Sequence, residues 1–369
     1  MRICLIAVEI FAWGKYGGFG RATRLIGREL ARRGHEVFAV VPRRKGQQAV
    51  EQLDGITVLA FSPWRPWEAA ALLAQCNADV YHSCEPSLAT HYAVRTMPHK
   101  RHMVTFRDPR TVYDWWMELV LPSLNRAQVL HNFLYENNWL VHRAVSDMDA
   151  VYTIGRMLVP KVKSMYRLRC EPAFLPTPVA VPERVEKAAR PTVCYMARLD
   201  RRKRPRLFLD LARKFPHVRF IVAGKSRNAG WEAALRRDYA GLPNVDFAGF
   251  VDQFNDPRHG AILGQSWILV NTATREALPN SFIEAMAHGC AILSGVNPDG
   301  IAERFGYHAE RDDFSNGLAW LLAEDRWRAR GQAAESHIQQ VFEINRAMDQ
   351  HLRAYEASLA RPGLDRGCS

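Results

Sequence analysis

Short apolar runs recur along the chain, each followed by a loop and then by apolar residues at helical spacing, and this alternation limits the available folds more than any other feature. Residues 2–8 (RICLIAV) lead into a glycine-containing loop, Gly14-Lys15-Tyr16-Gly17-Gly18. After it come Ala22, Leu25, Ile26 and Leu30 at helical spacing, a stop at Gly34, and a second apolar run at 36–41. A buried parallel strand, a helix and a second parallel strand are predicted, the βαβ unit. Further strands are expected at 56–61, 79–82, 102–106 and 150–154, and a long helical stretch at 112–143 carries Tyr113, Trp115, Trp116, Leu119 and Val120.

Pro172, Pro176, Pro178, Pro182 and Pro191 interrupt the pattern, and proline both stops helices and stiffens exposed chain. The alternation then restarts, with strands at 192–196, 218–223, 245–247, 267–271 and 291–294 and helices near 205–215, 231–239 and 280–288. With 369 residues, 48% of them hydrophobic, two α/β cores fit better than one. The expected organisation is a first lobe at 1–171, a connector at 172–191, a second lobe at 192–345 and a helical tail at 346–369, whose return to the first lobe is left open.

The formal net charge of +12 is heavier before residue 189 than after it, which suits an anionic ligand, a nucleic acid or an acidic membrane face without choosing among them. Seven scattered cysteines with no C-x-x-C pair argue for a reducing compartment and against a disulfide framework or zinc site. No stretch approaches the roughly 20 apolar residues of a membrane span, and the chain opens on a strand pattern, so a cytoplasmic protein is expected, with peripheral contact on the inner face of the cell membrane left open.

In an open parallel sheet, ligands bind beyond the carboxyl ends of the strands. After the strand at 192–196 stand Arg198 and Lys203, a fork and a compact cation that suit a diphosphate, although the run Arg201-Arg202-Lys203-Arg204 also reads as a solvated loop. After the strand at 267–271 come Glu276 and then Glu284, with Pro279 between them and Asn280 and Ser281 near a helix start, where free backbone N–H groups hold phosphate or sugar oxygens. Glu284 stands on a helix otherwise apolar and small, from Phe282 to Ala287, which sets it apart from ordinary surface polarity, a single solvent-facing glutamate being the alternative.

In order and spacing these pieces resemble the retaining family 4 (group 1) glycosyltransferases. The resemblance covers nearly the whole chain and rests on Gly17-Gly18, Arg198-Leu199-x-x-x-Lys203 and Glu276-x7-Glu284 followed by Ala285-Met286-Ala287-x-Gly289. It implies a GT-B fold, two Rossmann-like doubly wound domains facing across a cleft, the first taking the acceptor and the second a nucleotide sugar. It also implies that Arg198 and Lys203 hold the donor diphosphate, Glu284 the ribose hydroxyls and Glu276 the transferred sugar, while Gly17-Gly18 closes over the phosphates and Phe250 and Val251 meet the base. No cofactor beyond the nucleoside diphosphate sugar is implied, and no metal. Two departures stand out. Arg107 occupies the region where the family often has a histidine, and Ala277 stands where it commonly has glycine.

The implied reaction transfers a glycosyl group with retention to a carbohydrate or lipid-linked acceptor, in polysaccharide, lipopolysaccharide or glycolipid synthesis. An epimerase or hydrolase of the same fold is the nearest alternative. A basic nucleic-acid-binding module lacks both a recognisable motif and aromatic-basic interleaving, so no nucleic acid is expected. His82, at the end of the strand at 79–82, is a candidate cleft residue. Arg21, Arg24, Arg28, Arg32 and Arg33, with Trp64, Trp67, Tyr113, Trp115 and Trp116, suit an anionic bilayer. The same residues also read as core aromatics and solvated arginines.

Overall fold

The structure is a computed structural model that describes residues 1–14, 16–120 and 125–361. The chain divides into two compact units, one of Met1–Pro178 together with the chain from Asn345 on, the other of Val179–Ile344.

The first unit contains β1 (Arg2–Ile6), β2 (Glu36–Pro42), β3 (Val50–Leu53), β4 (Ile56–Phe61), β5 (Val80–Ser83), β6 (Arg101–Phe106), β7 (Ala150–Thr153) and β8 (Ala173–Phe174), in the order β3-β4-β2-β1-β5-β6-β7-β8. All pairs are parallel except β3 with β4. Sequence reading missed β3, whose residues Val-Glu-Gln-Leu are exposed or half-buried and so carry no apolar run. The predicted helical stretch at 112–143 is, among the described residues, three helices, Val112–Val120, Arg126–Glu136 and Trp139–Ser146. Asparagines start the last two: Asn125 Oδ1 accepts the Gln128 N–H at 2.7 Å, and Asn138 Oδ1 accepts those of Leu140 and Val141.

The helix Ile344–Ala360 packs on this sheet: Tyr355 is fully buried with its hydroxyl 2.8 Å from His82 Nδ1, and His351 Nε2 lies 3.0 Å from the Pro176 carbonyl. Cys4, Cys76 and Cys84 here, like Cys194 and Cys290 in the second unit, are free and buried, whereas Cys170 is disulfide-bonded.

The second unit contains β9 (Thr192–Met196), β10 (Arg219–Ala223), β11 (Val245–Gly249), β12 (Ile268–Asn271), β13 (Ala291–Ser294) and β14 (Gly306–His308), all parallel, in the order β11-β10-β9-β12-β13-β14. Counted within the unit this is 3-2-1-4-5-6, the Rossmann order. Its core joins Val193, Tyr195, Phe208, Phe220, Ile268 and Leu293, each such side chain contributing roughly 1.5–3 kcal/mol on burial. The short β14 escaped sequence reading. Gly306 brings it against β13 so closely that a Cβ there would lie 1.8 Å from the Ile292 carbonyl oxygen.

Candidate active site

The order of the second sheet reverses between β9 and β12, so the loops leaving these neighbouring strands part and open a crevice at their carboxyl ends. The loop after β9 is built in place. Gly224, at φ +154°, lets the chain after β10 approach so closely that a Cβ there would sit 2.0 Å from the Ala197 carbonyl oxygen. The buried Tyr195 hydroxyl lies 3.1 Å from the Arg198 carbonyl and 3.2 Å from that of Lys203. Thr272, just past β12, places its Oγ1 2.7 Å from the Lys203 carbonyl and 3.0 Å from that of Arg204. Asp200 caps the turn Arg201–Lys203 by accepting the Lys203 N–H at 3.2 Å.

Thus the basic run does not float as a self-repelling loop. Lys203 Nζ donates to Glu276 Oε1, joining the loops after β9 and β12 at the switch point with both side chains mostly buried. Arg204, at φ +47°, donates to the Thr272 carbonyl at 2.6 Å and pairs with Asp312 at 2.7 Å. The Arg201 guanidinium lies over Trp231. Arg198 remains 42% exposed, 3.5 Å from Asp200 Oδ2, and so presents a guanidinium at the mouth of the crevice.

Glu276 is followed by the helix Asn280–Ala287, with Pro279 one position before it. Asn280 and Ser281 are therefore its first two residues. The helix buries Phe282, Ile283, Ala285, Met286 and Ala287, which turns Glu284 to the remaining face. There its carboxylate is 12% exposed and lies 3.2 Å from His259 Nε2, while the Glu284 carbonyl is 2.8 Å from His288 Nδ1. Glu284 is therefore held by a histidine and does not simply face solvent. Burial lowers the His288 pKa, against the raising effect of the Glu284 carbonyl. Phe250, after β11, carries the Lys225 ammonium 4.7 Å from its ring centroid, and Val251 is buried.

In the first unit Gly17 and Gly18 open the helix Gly18–Arg32. A Cβ at Gly17 would meet the Glu9 carboxylate at 1.9 Å, and that carboxylate accepts the Gly20 N–H at 3.1 Å. His82 is fully buried, Nε2 lying 2.7 Å from Thr105 Oγ1, and burial holds its pKa well below the usual range. That corrects its reading as a cleft residue: it is a link between β5, β6 and the last helix. Arg107 is also buried, 3% exposed, with Nη1 donating to Thr177 at 3.0 Å. Its N–H and that of Asp108 donate to Glu85 Oε2 at 2.7 and 3.1 Å, and burial pushes the Glu85 carboxyl up to about 8.

Sequence reasoning missed Asp200, Thr272, His259 and Glu85. Asp200 alone carried a local signal, as a helix-cap type before a basic turn. The others depend on segments distant in sequence. Two membrane-reading expectations also change. Arg24 is buried, pairing with Asp54 at 2.7 Å and donating to the Phe11 carbonyl, and Arg32 and Arg33 pair with Glu29 and Asp349, so these arginines are not simply solvated. Trp64, Trp67, Tyr113 and Trp116 are exposed and not packed in the core, whereas Trp115 is buried.

Residues 16–179 match the family described as Glycosyltransferase Family 4, and residues 190–324 that described as Glycosyl transferases group 1. No curated protein matches the sequence. Among solved structures the chain is similar to sucrose-phosphate synthase from Thermosynechococcus elongatus, at 16% identity and TM-score 0.74 over 97% of this chain and 99% of that one. A glycosyltransferase from Rickettsia africae superposes at 15% identity and TM-score 0.71 over 98% and 99% of the two chains. HepE from Anabaena, in complex with UDP-glucose, does so at 12% identity and TM-score 0.68 over 96% and 99%. With family matches in both units and two Rossmann-like domains of the GT-B fold, the chain belongs to the group 1, family 4 glycosyltransferases.

Proposed function

We propose that the chain is a retaining glycosyltransferase that moves a sugar from a nucleoside diphosphate sugar to an acceptor hydroxyl. The observation that carries this reading is the meeting of Lys203 and Glu276 at the switch point between β9 and β12, with Arg198 exposed beside them. A diphosphate entering there meets the Arg198 fork and competes with Glu276 for the Lys203 ammonium, and a released Glu276 carboxylate accepts from sugar hydroxyls. Asn280 and Ser281 offer helix N-terminal N–H groups to the same oxygens, and Glu284, steadied by His259, takes the ribose hydroxyls. Phe250 and Val251 meet the base.

Catalysis in this reading rests on cations that stabilise the departing diphosphate, which itself accepts the acceptor proton on the same face of the sugar. No metal takes part. HepE was solved with UDP-glucose and with UDP and glucose, which makes UDP-glucose the first donor to try. The acceptor is a carbohydrate or a lipid-linked sugar of polysaccharide, lipopolysaccharide or glycolipid synthesis, reached from the cytoplasmic side of the membrane. The pairing of Arg24, Arg32 and Arg33 within the protein supports this over a nucleic-acid surface.

The test is turnover of nucleotide sugars with and without acceptor, with the product's anomeric configuration read by NMR. Acceptor-dependent release of nucleoside diphosphate with a retained anomer is expected. Release without acceptor would mean a hydrolase, and an inverted product would remove the same-face mechanism.

A further inference from the structure

The described residues expose fourteen large hydrophobic side chains, and every one lies in the first unit. Ten of them fall between positions 64 and 139. We propose that the face formed by residues 63–67, 112–120 and 126–139 is a docking surface for an anionic lipid bilayer. This deepens the reading of a membrane-borne acceptor by naming how the enzyme reaches it.

The helix Val112–Val120 turns Val112, Trp116, Leu119 and Val120 outward at i, i+4, i+7 and i+8, an apolar stripe on the wrong side for a core, while Trp115 and Glu118 point inward. Its neighbour Arg126–Glu136 does the same with Leu130 and Leu134, at 54% and 57% exposure. Trp115 packs edge-on against Phe133, which ties the two helices together. His131 then joins the second helix to the loop before it in sequence: its Nε2 lies 3.0 Å from the Pro63 carbonyl, and the Trp64 ring stands edge-on to it at 4.8 Å. Between loop and helix is an apolar depression of about 190 Å³, lined by Pro63, Trp64, Pro66, Leu88, His131 and Leu134 among others. The surface is therefore continuous, and its most exposed aromatic members, Trp64 and Trp139, are the side chains favoured where water meets acyl chains.

The charges on these elements decide the occupant. Those that are exposed, Arg65, Arg126 and Arg143, are all cationic. The carboxylates are engaged instead: Asp114 with Lys161 at 2.7 Å, Glu136 with Arg110 at 4.0 Å, Glu68 with the Ser62 N–H and with Arg65 at 3.7 Å, and Glu118 buried, which among the described residues leaves Arg126 and Arg143 as the exposed cations without a carboxylate on these elements. A second copy docked about a twofold axis would set like charges against one another, whereas an anionic headgroup layer meets them with the opposite sign.

Flotation of the full chain with vesicles, in the absence of donor, tests this. Binding to vesicles of phosphatidylcholine and phosphatidylglycerol in equal parts is expected, weaker binding to phosphatidylcholine alone, and loss of the difference at high salt. A variant with Trp116→Ser, Leu130→Ser, Leu134→Ser and Trp139→Ser should bind at least ten-fold more weakly with an unchanged melting temperature. Trp139→Ser alone, with a smaller loss, serves if the fourfold variant does not fold. Arg65→Gln with Arg126→Gln and Arg143→Gln should erase the preference for phosphatidylglycerol. Failure of the unaltered protein to float with either vesicle overturns the proposal, as does equal flotation of the apolar variants. A dimer in sedimentation that the same substitutions abolish would assign the face to a second copy and also overturn it. Turnover with a soluble acceptor is measured separately, so loss of the transfer reading and loss of the docking surface are distinguishable.

Discussion

The two units share one strand pattern and finish their surfaces differently. The second leaves none of its large hydrophobic side chains exposed, with Trp327 stacked 4.4 Å from Trp267, and turns a row of cations and carboxylates to the ends of its strands. The first uses its strand ends to bury polar groups, Arg107, Glu85 and His82 among them, and leaves tryptophans in solvent. A Rossmann-like sheet therefore does not itself dictate where charge and apolar surface lie. The same scaffold carries clustered cations and carboxylates at the strand ends of one unit and exposed aromatic side chains on the other.

Large side-chain deletions should break the symmetry of the pair most strongly. Trp327→Ala should cost the second unit roughly 3–5 kcal/mol, as a buried aromatic leaves a cavity, while Trp139→Ser in the first should stay within about 0.5 kcal/mol. Denaturant unfolding followed by probes in each unit checks this, and equal costs would erase the contrast.

Next is the pH response of the first unit. The Glu85 carboxyl is raised from 4.5 to about 8 by burial, so its contribution to stability is fully present below pH 4.5 and is lost as the pH rises through about 8. Glu85→Gln removes that loss. Between these limits the variant should gain on the parent by a few kcal/mol, at about 1.4 kcal/mol per pKa unit. Parallel stability curves from pH 4.5 to 8 would place the carboxyl in water.

Lys203→Ala and Glu284→Ala should each lower kcat/KM by about 100-fold, close to 3 kcal/mol, while the protein still folds and melts cooperatively. Parent-like kcat/KM in either variant would remove that residue from the donor site. The smallest effect is expected of Arg198→Lys, which keeps the charge and loses the fork: donor affinity should fall about ten-fold, and isothermal titration showing no change would count against the clamp.

Much of the fold was legible because strand burial in parallel sheets writes itself as apolar runs. The runs expected at 192–196 and 291–294 are strands to the residue. Where a strand is half-exposed, as Val50–Leu53, or only three residues long, as Gly306–His308, that signal is missing. Among the site residues, Arg198, Lys203 and Glu276 stand on loops past strands and Glu284 on a helix, where position along the pattern already put them. Their contacts were not legible. Lys203 and Glu276 are 73 positions apart and His259 and Glu284 are 25 apart, and nothing local records either meeting.

The sequence by itself determined the alternation of strand and helix, its interruption by proline, and which loops carry cations and carboxylates, because these follow from backbone sterics and hydrophobic period acting over a few residues. Only the tertiary structure decided that β12 lies beside β9 and so brings Glu276 to Lys203, that Arg24 and His82 are buried, and that Trp64 and Trp116 are exposed. Which face of an element is covered depends on what packs against it, and that partner comes from chain tens or hundreds of residues away: His82 is covered by Tyr355, 273 positions distant.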